Sequence, residues 1–208
     1  MIAPTPENPL TYLALGDSYT IGESVAETDR WPVQLAVALR KQGIQIADPV
    51  IIARTGWTTD DLLRAIETKG EVGTYDLVSL LIGVNDQFQG LSIDGYRQRF
   101  RELLQISVEE ADGKPEQVIV LSIPDWSYTP YAETIQRPEV SAEIDAFNAV
   151  AQEESEAAGV HYFDITPMTR PSIYDAGLFA DDGLHPSAKM YTLWVEMILP
   201  KVNDLFSG

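Results

Sequence analysis

The segment Leu10-Thr11-Tyr12-Leu13-Ala14-Leu15-Gly16-Asp17-Ser18 sets the reading of the chain. A short, mostly apolar run from Leu10 to Leu15 breaks at a glycine and two polar residues, the pattern of a strand buried on both faces and ending in a turn. The same punctuation recurs downstream. Trp31 to Lys41 repeats Val33, Val37 and Ala38, with Leu35 and Leu39 beside them, at helical spacing, and Gly43 follows as a stop. Ile44 to Ala53 predicts a second strand ending at Arg54-Thr55-Gly56, and Thr58 or Thr59 caps a helix to about Glu67. Tyr75 to Ile82 is a third apolar run that ends at Gly83-Val84-Asn85-Asp86, and Ser92 or Asp94 opens an amphipathic helix to about Glu110. Glu116 to Ile123 reads as strand four and Glu139 to Ala158 as a helix closed by Gly159. Val160 to Phe163 reads as strand five, and Ser187 caps a last helix to about Leu199, before Pro200 and a tail able to extend it.

Five short strands alternating with helices predict a parallel sheet covered on both faces, because right-handed crossovers put the helices there. The fold class expected is a flavodoxin-like three-layer α/β/α sandwich with a five-stranded parallel sheet, formed by 1–208 as a single domain with an irregular lead-in over 1–9. Asp125 to Pro138 reads as a long irregular loop of functional kind. Ligands in such sheets collect beyond the carboxyl ends of the strands. Asp17-Ser18, Gly56 and Gly83 to Asn85 should therefore converge on one crevice.

The chain has 208 residues and a formal charge of -18, with only 14 Lys and Arg. Its mean field repels a nucleic-acid backbone or an anionic membrane, so neither is an expected partner. Cysteine is absent, which removes disulfides, thiolate nucleophiles and cysteine metal sites. The first residues carry no basic or apolar leader pattern, and no segment approaches about 18 uninterrupted apolar residues. Stable membrane insertion is not expected, and the default location is cytoplasmic; a secreted mature form would read the same. Oligomeric state is left open by the sequence.

Acyl transfer needs a nucleophile, a base, a group that orients the base, and donors for the oxyanion. Ser18 follows strand one directly, although a lone serine there is more often a helix cap. The chain has two histidines. His161 reads as an ordinary strand residue, whereas His185 lies in the turn-rich loop Asp181-Asp182-Gly183-Leu184-His185-Pro186, three residues after Asp182, whose carboxylate can reach its Nδ1. Asp181 is the substitute, and two adjacent acids are otherwise ordinary turn residues. Gly56 can offer a backbone N–H, and Asn85 an amide, to an oxyanion completed by the Ser18 N–H. Trp57, Phe88, Trp126, Tyr128, Tyr131 and Phe179 fall on or near the crevice loops and are candidate substrate-binding residues.

These residues resemble those of the SGNH hydrolases, also called GDSL-like lipases and esterases. Gly16-Asp17-Ser18 resembles the first block of that family, Gly56 the second, Gly83-Val84-Asn85-Asp86 the GxND third and Asp182 to His185 the DxxH fifth, in order over nearly the whole chain. The first block continues with Tyr19 rather than leucine. The resemblance implies a flavodoxin-like fold and metal-independent ester hydrolysis without a cofactor. It implies Ser18, Asp182 and His185 as the triad and Ser18, Gly56 and Asn85 as the oxyanion hole. Small soluble or short-chain esters are favoured, with thioesters or lysophospholipids as alternatives within the family. A competing reading makes Asp17 and Asp86 paired carboxylates around a divalent metal in a phosphotransfer module. An α/β-hydrolase is disfavoured by the lack of a G-x-S-x-G elbow, and no phosphate-loop or dinucleotide motif occurs.

Overall fold

Strand β1 (Tyr12–Gly16) is buried at every position and lies between β2 (Val50–Ala53) and β3 (Leu77–Leu81). The computed structural model describes residues 9–70, 73–135, 137–170 and 175–206; of the expected lead-in, 1–8 lie outside them. With β4 (Val118–Leu121) and β5 (His161–Phe163) the strands form one all-parallel sheet in the order β2-β1-β3-β4-β5. That is the expected flavodoxin-like order, in which the chain reverses direction across the sheet between β1 and β3. β3 and β4, like β1, are fully buried, which explains why they read as continuous apolar runs rather than alternating ones.

The second strand is shorter than its apolar pattern. Residues before Val50 contribute only an isolated bridge between Leu10 and Ile46. Pro49 has no N–H to give the ladder, so regular pairing begins after it, with Leu13 opposite Val50.

The short α1 (Ser18–Ile21) follows β1 at once, and α2 (Trp31–Lys41) carries Pro32 in its first turn, where a missing N–H costs nothing. Thr58 caps α3 (Thr59–Lys69) through a reciprocal box with Asp61. After the short α4 (Val84–Phe88), Ser92 caps α5 (Ile93–Glu110). A single helical turn, α6 (Ala132–Ile135), precedes α7 (Val140–Ala158), and another, α8 (Thr166–Thr169), follows β5. Ser187 caps α9 (Ala188–Leu205). α2 packs on α9, while α5 packs on both α3 and α7, giving the two helical layers. α9 runs through Pro200 into the tail, as far as Leu205. The proline removes one helical hydrogen bond, but Ile198 and Val202, on either side of it, are fully buried and hold the helix in place.

The stretch from Asp125 to Pro138 is more ordered than expected. It holds a 3-10 turn over Trp126–Tyr128 and then α6. Asp125, itself buried, organises it by accepting from the Ser127 N–H at 3.1 Å, the Arg170 Nε at 3.0 Å and the Ser141 hydroxyl.

The β1–α1 junction is the tightest point of the fold. A Cβ added to Gly16 would stand 2.4 Å from the Leu81 carbonyl oxygen of the neighbouring strand and 2.2 Å from Thr20 Oγ1. The next residue, Asp17, is fully buried and caps α1 by accepting from the Tyr19 N–H at 3.0 Å. Burial pushes its carboxyl up to about 8; the Tyr19 N–H pulls the other way, and the charge of Asp86 adds to the rise.

Gly16→Ala should lose about 3 kcal/mol of stability, since the strand carbonyl it meets cannot rotate away; a urea midpoint equal to the parent's would show that the junction yields. For Asp17 the folded pKa lies above the unfolded 3.8, so its contribution is complete below that value and is lost as pH rises through about 8. Asp17→Asn should therefore gain stability relative to the parent as pH rises from 5 to 9, and a difference that stays flat in paired thermal melts would mean that the carboxyl is ionised throughout.

Candidate active site

Ser18 is the first residue of α1, a position whose N–H has no acceptor within the helix. It is 4% exposed. It lines a cavity of about 240 Å3 at the carboxyl edge of the sheet, together with Tyr19, Thr55, Gly56, Val84, Asn85, Phe88, Trp126, Tyr131, Leu184 and His185. The ends of β1, β2 and β3 thus meet as the strand order requires, and the loop before α9 joins them.

That loop is built around one carboxylate. Asp182 Oδ1 accepts from the backbone N–H groups of Leu184 and His185, both at 2.9 Å, and Oδ2 lies 2.7 Å from His185 Nδ1. The Ser24 hydroxyl donates to the same Oδ2 at 2.6 Å. Partial burial works against ionisation of Asp182, yet these four donors outweigh it and hold the carboxyl well below the usual carboxylate range. A backbone bond from the Ala180 N–H to the His185 carbonyl and a bridge between Phe179 and Pro186 close the loop base. The imidazole packs edge-on against Tyr19, with ring centres 5.7 Å apart. Asp181 stands exposed beside this arrangement. His161 begins β5, at the opposite end of the strand from the crevice.

Gly56 occupies the third position of a turn closed by the Trp57 N–H donating to the Arg54 carbonyl at 3.2 Å. Its φ of +83° is one that side chains other than glycine adopt at a cost, and an added Cβ would meet nothing within 4 Å, so the turn and not crowding demands glycine. The Asn85 amide donates one hydrogen to the Trp57 carbonyl at 2.9 Å, which fixes the side chain beside that turn and leaves its second hydrogen for another acceptor. Asp86 is fully buried beneath both, accepting from the Thr59 N–H at 2.8 Å, the Thr59 hydroxyl at 2.6 Å and Arg99 Nη2 at 3.1 Å. Both of its oxygens are thereby bonded.

Of the aromatic candidates, Phe88, Trp126 and Tyr131 line the cavity. Trp57 does not; it packs against the core and contributes its carbonyl to Asn85. Tyr128 does not line it; it lines a surface hollow with Ser127, Arg137 and Ser141, on the other side of Trp126, which borders both. Phe179 faces a small hollow behind the histidine loop with Leu178, Pro186 and Met190. Sequence reasoning missed Gln87, whose side-chain oxygen accepts from Trp126 Nε1 at 2.9 Å and so sets the cavity wall. It also gave no role to Ser24, Thr55, Val84 or Leu184; a serine or threonine in a loop carries no signal that separates such contacts from ordinary turn chemistry.

The model of the GDSL-like lipase/acylhydrolase family matches residues 14–193. No curated protein matches the chain. Among solved structures, the fold is similar to that of TesA, with a TM-score of 0.73 and 19% identity over 94% of this chain and 99% of that one. It is similar to the psychrotrophic esterase EstA from Pseudoalteromonas sp., with a TM-score of 0.72 and 17% identity over 95% and 99% of the two chains. It is also similar to Axe2, an acetylxylan esterase from Geobacillus stearothermophilus, at 0.71 and 18% over 96% of each chain. At these identities the structural likeness is one of fold, and the family rests on the match that spans β1 to α9: the chain belongs to the GDSL-like lipase/acylhydrolase family and is a hydrolase.

Proposed function

We propose that the chain is a serine esterase for carboxylic esters with short or small acyl groups, with Ser18 as nucleophile, His185 as base and Asp182 orienting that base. The observation that carries this reading is the 2.7 Å contact between Asp182 Oδ2 and Nδ1 of an imidazole that lines the same cavity as Ser18, Gly56 and Asn85. The Asp182 carboxylate holds the proton on Nδ1, so Nε2 is the basic nitrogen.

Ser18 Oγ attacks the ester carbonyl as its proton passes to His185 Nε2, and the carbonyl oxygen becomes an oxyanion. The Ser18 and Gly56 N–H groups and the free hydrogen of the Asn85 amide stabilise it. His185 then returns the proton to the departing alcohol as the C–O bond breaks. Water, deprotonated by the same nitrogen, attacks the acyl-enzyme and releases the acid and Ser18.

Cavity size and charge support the substrate class. About 240 Å3, walled by Phe88, Trp126 and Tyr131, is below the roughly 300 Å3 at which drug-sized pockets begin, and suits an acyl group of a few carbons. The charge of -18 opposes anionic acyl carriers, which favours neutral esters over nucleotide-linked thioesters. No helix among the described residues is long and apolar enough to cross a membrane.

Ser18→Ala should abolish hydrolysis of p-nitrophenyl acetate while keeping the parent's thermal midpoint; turnover by that variant would overturn the assignment. Rates across the series from acetate to palmitate should fall with chain length, acetylated sugars should be accepted as a class to be ranked against it, and a chelator should change nothing. Asn85→Ala should lower kcat about 100-fold, the usual cost of one oxyanion donor, with a much smaller change in KM.

A further inference from the structure

Ser24 lies in the turn that leaves α1, well away in sequence from the histidine loop it touches. Among the described residues, three of the four donors to Asp182 come from Leu184 and His185, within its own loop, and the fourth, the Ser24 hydroxyl, comes from another part of the chain. The turn is pinned to both other sides of the site. The Glu23 N–H donates to the carbonyl of Ser18 at 3.0 Å, and the Thr55 hydroxyl, next to Gly56, donates to the Glu23 carboxylate.

The backbone of Ser24 is unfavourable for its residue type. Its φ is +64°, and among the described residues only Asp112 shares a positive φ without being glycine. Glycine is the residue that such a position selects on backbone grounds, and the side chain of Ser24 is otherwise exposed. A serine kept there is accounted for by what its hydroxyl does.

We infer that Ser24 is a positioning residue of the hydrolytic site, its hydroxyl fixing Asp182 Oδ2 so that the carboxylate keeps His185 aimed into the cavity. The inference rests on the triad reading above. It links the turn after the nucleophile to the acid at the far end of the chain, so that Ser18 and His185 keep their relative placement. The hydroxyl also draws charge from the oxygen that faces Nδ1.

Ser24→Gly separates the hydroxyl from the backbone, because glycine relieves the positive φ while deleting the donor. We expect kcat to fall about tenfold with little change in KM, the worth of one hydrogen bond to a charged group. The thermal midpoint should be kept or raised, since glycine tolerates the positive φ. Ser24→Ala should show the same kinetic change with a lower midpoint. In the Asp182→Ala background, Ser24→Gly should cost nothing more, since the two act through one bond. Parent-like kcat in Ser24→Gly, or an equal loss in both backgrounds, would overturn the inference. Full activity in Asp182→Ala alone would instead overturn the triad reading, and this inference with it.

Discussion

The buried carboxylate of Asp86 is the point on which the carboxyl edge of the sheet depends. It has no solvent to share its charge with, and it is satisfied only because the first residue of α3 and the guanidinium of α5 both turn toward it. Leaving such a charge without its partners costs about 3–5 kcal/mol. That cost keeps the start of α3, and with it the Gly56 turn, docked against the helix that bears Asn85. Arg99 Nε donates to the Thr59 hydroxyl as well, so the three groups form a closed ring of bonds. The Asn85 bond to the Trp57 carbonyl then fixes the two proposed oxyanion donors relative to each other. Donors held in this way need no rearrangement when charge develops, which is where their catalytic value arises.

The histidine loop is organised on a different principle. Its geometry is local, set by a carboxylate that folds back on the N–H groups two and three residues ahead of it. Its position relative to the sheet is not local. The Tyr131 N–H donates to the Gly183 carbonyl, Tyr19 supports the imidazole edge-on, and Trp194 of α9 lies behind Tyr19. The tyrosine that replaces the family's usual leucine after Gly16-Asp17-Ser18 thereby finds its place: it is a buried ring between the histidine and the last helix. Trp126 joins the two systems, since Gln87 of α4 holds its indole N–H and its ring stands near both Phe88 and Tyr131.

Most of the architecture was legible before any coordinates. The three central strands read as apolar runs because helices bury both of their faces, and Thr58, Ser92 and Ser187 each cap the helix expected after them. The errors are physical in origin. The apolar stretch before Val50 looked like strand because periodicity does not register the break that Pro49 makes in a ladder. Whether the last helix continues past Pro200 was left open by propensity, which takes no account of the burial of Ile198 and Val202. The segment around Trp126 looked irregular because its order comes from Asp125, whose donors include a serine and an arginine on later elements.

The chain by itself determined the parallel layering, through periodicity, and the short-range pairing of Asp182 with His185, through contacts between residues close in sequence; the family was legible through the resemblance of its motif blocks. Only the tertiary structure decided which aromatics face the cavity, how Asp86 unites two loops, and that Ser24 reaches Asp182. Those contacts join residues between about a dozen and more than a hundred positions apart, and a side chain's direction at such a contact is set by the packing of the elements that carry it.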